Sequence, residues 1–171
     1  MDKEMQIRVA LSYLGKAQAA ESFEEAEENL KKHVEAMTDI YNQDKSDDRI
    51  ARGLVSALGQ IILFYDQVGD TEDGLEYNLQ ACEIGKYLHE KYPQQLDLAC
   101  GYSMSCMTIS KIYLELGDSD EVRKYFNIAN KLLEQLQVKY PDDDLVARYV
   151  EIKNDLEEDI ADFLEEDIDT E

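Results

Sequence analysis

Two histidines (His33 and His89), three cysteines (Cys82, Cys100 and Cys106) and a large surplus of carboxylates are the side chains here that could do chemistry. A zinc site needs ligands at convergent spacing, whereas these histidines lie far apart and no Cys-x-x-Cys pair occurs. The stretch "HEKYP", starting at His89, opens like a helical zinc-protease motif, but Pro93 stands where the second histidine would be. "DKSDD" (44–48) and "DDD" (142–144) offer oxygen ligands without the glycine-turn spacing of a calcium loop. Neither a phosphate-cradling glycine loop nor a nucleophile elbow is present. A carboxylate becomes a useful acid or nucleophile where burial or pairing shifts its pKa, and most Asp and Glu here fall on the solvent side of amphipathic stretches. The residues therefore argue against an enzyme and imply no metal or cofactor. The odd number of cysteines reads as reduced, buried thiols in a cytoplasmic protein.

Charge excludes further classes. The formal net charge is −22 over 171 residues, and residues 142–171 hold 14 acidic and two basic side chains. Phosphate recognition needs clustered Lys and Arg, so nucleic acid is not an expected partner, and anionic membrane surfaces are disfavoured for the same reason. The longest apolar runs are a few residues, too short to span a bilayer, and the start "MDKEMQIR" lacks a signal-peptide core. With 44% hydrophobic residues, two prolines and eight glycines, the chain has the composition of one ordinary domain.

The elements that must position these side chains follow from an internal echo. "YDQVGDTEDGLEYNLQA" (65–81) returns as "YLELGDSDEVRKYFNIA" (113–129), an interval of 48 residues, and "KYP" closes both copies at Pro93 and Pro141. A period of this size signals stacked supersecondary units. Leu58, Ile61, Ile62 and Tyr65 fall on one helical face, as do Ile109, Ile112, Tyr113 and Leu116. After each Gly-Asp break a second helical stripe follows, through Leu75, Leu79, Cys82 and Leu88, and through Val122, Tyr125, Ile128, Ala129 and Leu132. Gly69 and Gly117 suit the left-handed residue that ends a helix. Asp70 and Asp118 are expected to cap the next helix, with Asp73 and Glu121 in its first turn. Pro93 and Pro141 end each unit. A degenerate first copy carries Met5, Val9, Leu11 and Leu14, then a capping-box pattern at Ser22 and Glu25. The expectation is an all-α chain: hairpins over 2–46, 47–93 and 95–141, a capping helix over 142–166, and an acidic tail over 167–171. In the capping helix Tyr149, Ile152, Leu156, Ile160 and Phe163 form one stripe with acid elsewhere, as a solubilising end requires.

These residues resemble the tetratricopeptide repeat, a helical hairpin with a tyrosine on its first helix, a Gly-Asp turn, an alanine on its second helix and a terminal proline. Tyr65 and Tyr113, "VGDTEDG" and "LGDSDEV", Ala81 and Ala129, and Pro93 and Pro141 occupy matching places, over residues 2–141. Ile62 and Ser110 depart from the family's glycine, and Gly74 and Val122 from its alanine. His33 falls where the family places a buried alanine, which makes it a snug or edge histidine rather than a base. The usual period is 34; the surplus here is nearly four helical turns, so each stripe keeps its facing. Long-period repeats of this kind look bacterial or phage-borne. The resemblance implies a right-handed α-α superhelix with first helices lining a concave groove. Its groove positions map to Arg8, Leu11, Ser56, Gly59, Leu63, Met104, Met107 and Lys111.

A groove with small residues on its floor and methionines on its wall suits a helix or extended peptide of another protein. The expected function is thus a protein-interaction module. Two alternatives stand beside it: a small chaperone or acidic inhibitor that decoys a basic partner as a nucleic-acid mimic, and a structural segment that homo-oligomerises through its repeat ends. The start at Met1 and the soluble-looking final helix point to a complete protein rather than a slice of a longer solenoid.

Overall fold

The computed structural model describes the backbone of residues 2–168 and the side chains of residues 2–164. Among these residues the fold is all-α, with seven helices and no strand. They are α1 (Lys3–Gln18), α2 (Phe23–Gln43), α3 (Asp48–Val68), α4 (Leu75–Lys91), α5 (Leu96–Leu116), α6 (Ser119–Lys139) and α7 (Asp144–Ile168). None is long and apolar enough to cross a membrane. Residues 169–171 of the expected acidic tail lie outside the described residues. The chain forms two compact units, Met1–Ile84 and Gly85–Glu171, with the division inside α4.

The helix ends are written in local chemistry. Asp2 accepts from Met5 N at 2.8 Å, and Ser22 from Glu25 N at 3.2 Å, while the Glu25 carboxylate accepts from Glu21 N at 3.3 Å. Asp47 and Asp143 cap α3 and α7. Each satisfies amide donors that a helix start leaves orphaned. Gly69 and Gly117 end α3 and α5 at φ 78° and 75°, and Asp70 N and Asp118 N donate back to the carbonyls of Tyr65 and Tyr113 at 2.9 and 3.0 Å. That six-residue closure needs a left-handed residue, so glycine is required at both.

One cap differs from expectation. Asp118 accepts from Glu121 N at 3.1 Å and α6 begins at the next residue. After Asp70, by contrast, residues 71–74 form a turn and α4 begins only at Leu75. Gly74 stands where the later copy has Val122, and glycine costs ~1 kcal/mol in a helix relative to alanine. A Cβ at Gly74 would also meet Thr71 O at 3.2 Å and Tyr65 Cβ at 3.4 Å. The turn therefore draws tightly over Tyr65, and Asp70 and Asp73 are released from a helix start.

In the first unit α1 packs on α2 and α2 on α3. Leu30, Val34, Met37 and Ile40 of α2 meet Ile50, Leu54, Leu58 and Ile61 of α3 in the core. Burial of each such side chain stabilises by roughly 1.5–3 kcal/mol. Gly53 lets the two helices approach, since a Cβ there would lie 2.9 Å from Met37 Cε. Tyr65 stacks on Tyr77 at 5.9 Å, holding the start of α4 to α3. Lys3 Nζ donates to Asp47 at 2.6 Å, tying α1 to the start of α3.

In the second unit α5 packs on α6, and α7 on both. Cys100, Cys106, Met107 and Ile109 of α5 are buried, as are Val122, Ala129 and Leu133 of α6 and Val146, Leu156 and Ile160 of α7. The hydroxyl of Ser110 is buried and donates to Val122 O at 3.0 Å. Tyr113 and Tyr125 repeat the stack of the first unit, at 6.0 Å.

Candidate functional site

Among the groove positions, those in the first unit face solvent. Arg8 lies exposed on α1, paired with Glu4 at 3.0 Å, and Leu11, one turn on, is 52% exposed. On α3 Ser56, Gly59 and Leu63 occupy one face; Leu63 is 51% exposed, and nothing lies within 4 Å of a Cβ built on Gly59. Of these residues Leu63 lines a cleft of about 160 Å³, together with Leu14 of α1 and Leu30 of α2. Met5 and Val9, carried by the sequence as part of the first helical stripe, are exposed, and Ala10 is the residue α1 buries. An end helix packs on one neighbour and leaves its other side uncovered.

The second unit corrects one assignment. Met107 is only 2% exposed and belongs to the core, so it cannot form a groove wall. Met104 is 38% exposed and Lys111 is exposed. Cys106 and Met107 face inward and Met104 outward because α5 is wedged between two partners, α6 and α7, and buries a wide face.

A second concavity, about 510 Å³, opens where α2 begins and α3 ends. Its apolar walls are Phe23, Phe64 and Val68; Phe23 is 72% exposed and meets Phe64 edge-on at 6.3 Å. Its rim is acidic, with Glu24 and Glu27 from α2 and Asp70 and Asp73 from the turn that ends at Gly74. Tyr65 closes the back, donating its hydroxyl to Glu27 at 2.7 Å, and Lys31 holds the same carboxylate at 2.6 Å. Bonds from Lys31 and Tyr65 lower the Glu27 pKa, while burial and the Glu27 partner push the Tyr65 phenol up to about 12. Sequence reasoning missed this pocket, since it spent Asp70 and Asp73 on capping and gave Phe23 no role. The signals were there: Gly74 replaces Val122, and an aromatic follows the Ser22 cap without a periodic partner.

The reactive residues are engaged in packing. His33 is buried and its Nδ1–H donates to Ala10 O at 2.8 Å, joining α2 to α1; burial lowers its pKa, partly opposed by that bond. His89 stacks on Tyr102 at 6.1 Å, with its pKa lowered by burial. All three cysteines are buried thiols outside any disulfide, and burial pushes the Cys100 thiol up to about 11. Among the described residues no group of three or more His, Cys, Asp or Glu is placed to hold a metal ion. Compared with protein-family models, curated proteins and solved structures, the chain finds no match.

Proposed function

We propose that this chain is a cytoplasmic, tetratricopeptide-like interaction module that receives an apolar helix or extended segment of another protein on the α1–α3 face of its first unit. The observation that carries the reading is the exposure of Leu11 and Leu63, each about half open to solvent, beside the cleft walled by Leu14 and Leu63. Of the ten large apolar side chains left exposed among the described residues, six belong to the first unit: Met5, Val9, Leu11, Phe23, Leu63 and Val68. Leu11 and Leu63 supply apolar contacts that such a segment would bury. Gly59 leaves room for a backbone to approach between the rows.

The test is selection of helical peptides from a displayed library on the wild-type protein, followed by binding to a Leu11→Glu, Leu63→Glu variant. Both positions are exposed, so the variant folds, and circular dichroism verifies it. Losing two apolar contacts and facing two carboxylates to an apolar ligand weakens binding by at least about a hundredfold. Selected peptides that bind the variant at full strength refute the assignment. A wild-type dimer by light scattering that becomes monomeric in the variant gives the face to self-association instead.

A further inference from the structure

We propose that the acidic aromatic pocket at the α2–α3 corner receives a basic side chain, Arg or Lys, from the segment seated on the neighbouring α1–α3 face. The two concavities share Phe64 and Gln67, so a chain lying against Leu63 passes the mouth of this pocket. That the cation belongs to a partner protein rests on the function proposed above, whereas the pocket's preference for a cation does not.

Charge complementarity argues for the occupant. Lys31 is committed to Glu27, and Glu24, Asp70 and Asp73 have no basic partner among the described residues. Three unneutralised carboxylates surround an exposed ring, and a cation that stacks on an aromatic face while bonding carboxylates meets both demands. A neutral apolar group would satisfy Phe23 and Phe64 while desolvating the acids, and an anion would be repelled.

The second unit holds a cation between an acid and an aromatic ring within the chain itself. In the second unit Glu121, the counterpart of Asp73, holds Lys124 at 2.7 Å, and the Lys124 ammonium lies 4.8 Å from the Tyr125 ring centroid. Tyr125 is stacked on Tyr113 as Tyr77 is on Tyr65. In the first unit the position of Lys124 is taken by Glu76, and the cation that acts on Tyr65 and Tyr77 is Lys31 of α2, already held by Glu27, which leaves the rim acids Glu24, Asp70 and Asp73 to an outside cation. Phe23 has no aromatic counterpart in the other two copies, where Thr71 and Ser119 occupy the equivalent positions, so this pocket wall is particular to the first hairpin.

The experiment titrates N-acetyl-arginine methylamide into protein labelled with ¹³C-phenylalanine and repeats it with the neutral citrulline analogue. The four phenylalanines are Phe23, Phe64, Phe126 and Phe163, which makes the spectrum its own reference. Saturable shifts of Phe23 and Phe64 with the arginine compound alone are expected. Affinity should fall about tenfold in Phe23→Ala, an exposed position whose loss leaves the core intact, and about tenfold in Asp70→Asn, Asp73→Asn. It should be unchanged in Glu158→Gln, Asp159→Asn on α7. Equal shifts with citrulline, or an equal loss in the α7 variant, would overturn the proposal, the latter by reducing it to bulk charge. Spermidine binding the same site more tightly than the arginine compound would overturn its assignment to a protein side chain. Because the titration uses neither Leu11 nor Leu63, its failure and the failure of peptide capture are separate results.

Discussion

Truncating Met107 and Met104, three residues apart on α5, separates a core side chain from a surface one. Met107 is 2% exposed and Met104 is 38% exposed. Met107→Ala removes buried methylenes and the sulfur and leaves a cavity that α6 and α7 close only in part. Substitutions of this type cost 2–5 kcal/mol, and ~3 kcal/mol is the expected value for a site closed by neighbouring helices. In urea, with a slope of about 2 kcal/mol per molar, the midpoint falls by ~1.5 M. By calorimetry the same loss lowers Tm by about 6–12 °C for a chain of this size. Met104→Ala should stay within ~0.5 kcal/mol of wild type, because its side chain keeps much of its hydration in the folded state. The assay is urea unfolding followed by circular dichroism, with slopes compared so that the midpoints report stability. Equal losses in the two variants, or a loss below about 1 kcal/mol for Met107→Ala, would refute the inward placement of Met107. The same reasoning governs charge insertion: Met107→Glu unfolds the second unit, whereas Met104→Glu remains folded.

Gly69→Ala and Gly117→Ala should each cost roughly 1–2 kcal/mol in chemical unfolding, since both residues hold positive φ. Gly59→Ala, in a helix with open space around it, should instead stabilise by ~0.5–1 kcal/mol, and a loss there would contradict its placement. The His33 imidazole should titrate below 6.5 by NMR, because burial disfavours its charged form. The folded pKa is the depressed one, so this group's contribution is complete above the unfolded value of 6.5 and is lost as pH falls below it. A measured His33 midpoint at or above 6.5 would refute the burial of its ring.

What the sequence determined on its own is whatever acts within a few residues. The helical class, the Gly-Asp breaks, the caps at Ser22 and Asp118 and the ends before Pro93 and Pro141 are local effects. A φ that only glycine adopts, or an oxygen three residues from an orphaned amide, is legible without knowing the neighbours. The stripes through Leu58, Ile61 and Tyr65 were legible too, because helical period alone puts them on one face. The groove residues Leu11 and Leu63 were named by position, but whether such a residue is wall or core depends on how many helices press against its own. Periodicity cannot count them: α5 packs on both α6 and α7, which buries Met107, while α1 packs chiefly on α2 and leaves Leu11 open. The acidic aromatic pocket needed tertiary structure most. Phe23 and Asp73 are 50 positions apart in the chain, and only the packing of α2 on α3, with the turn that ends at Gly74, brings their side chains to one cavity. A capping acid and an acid left in a turn read the same in one dimension, and the three-dimensional fold decided between them by moving the helix start to Leu75.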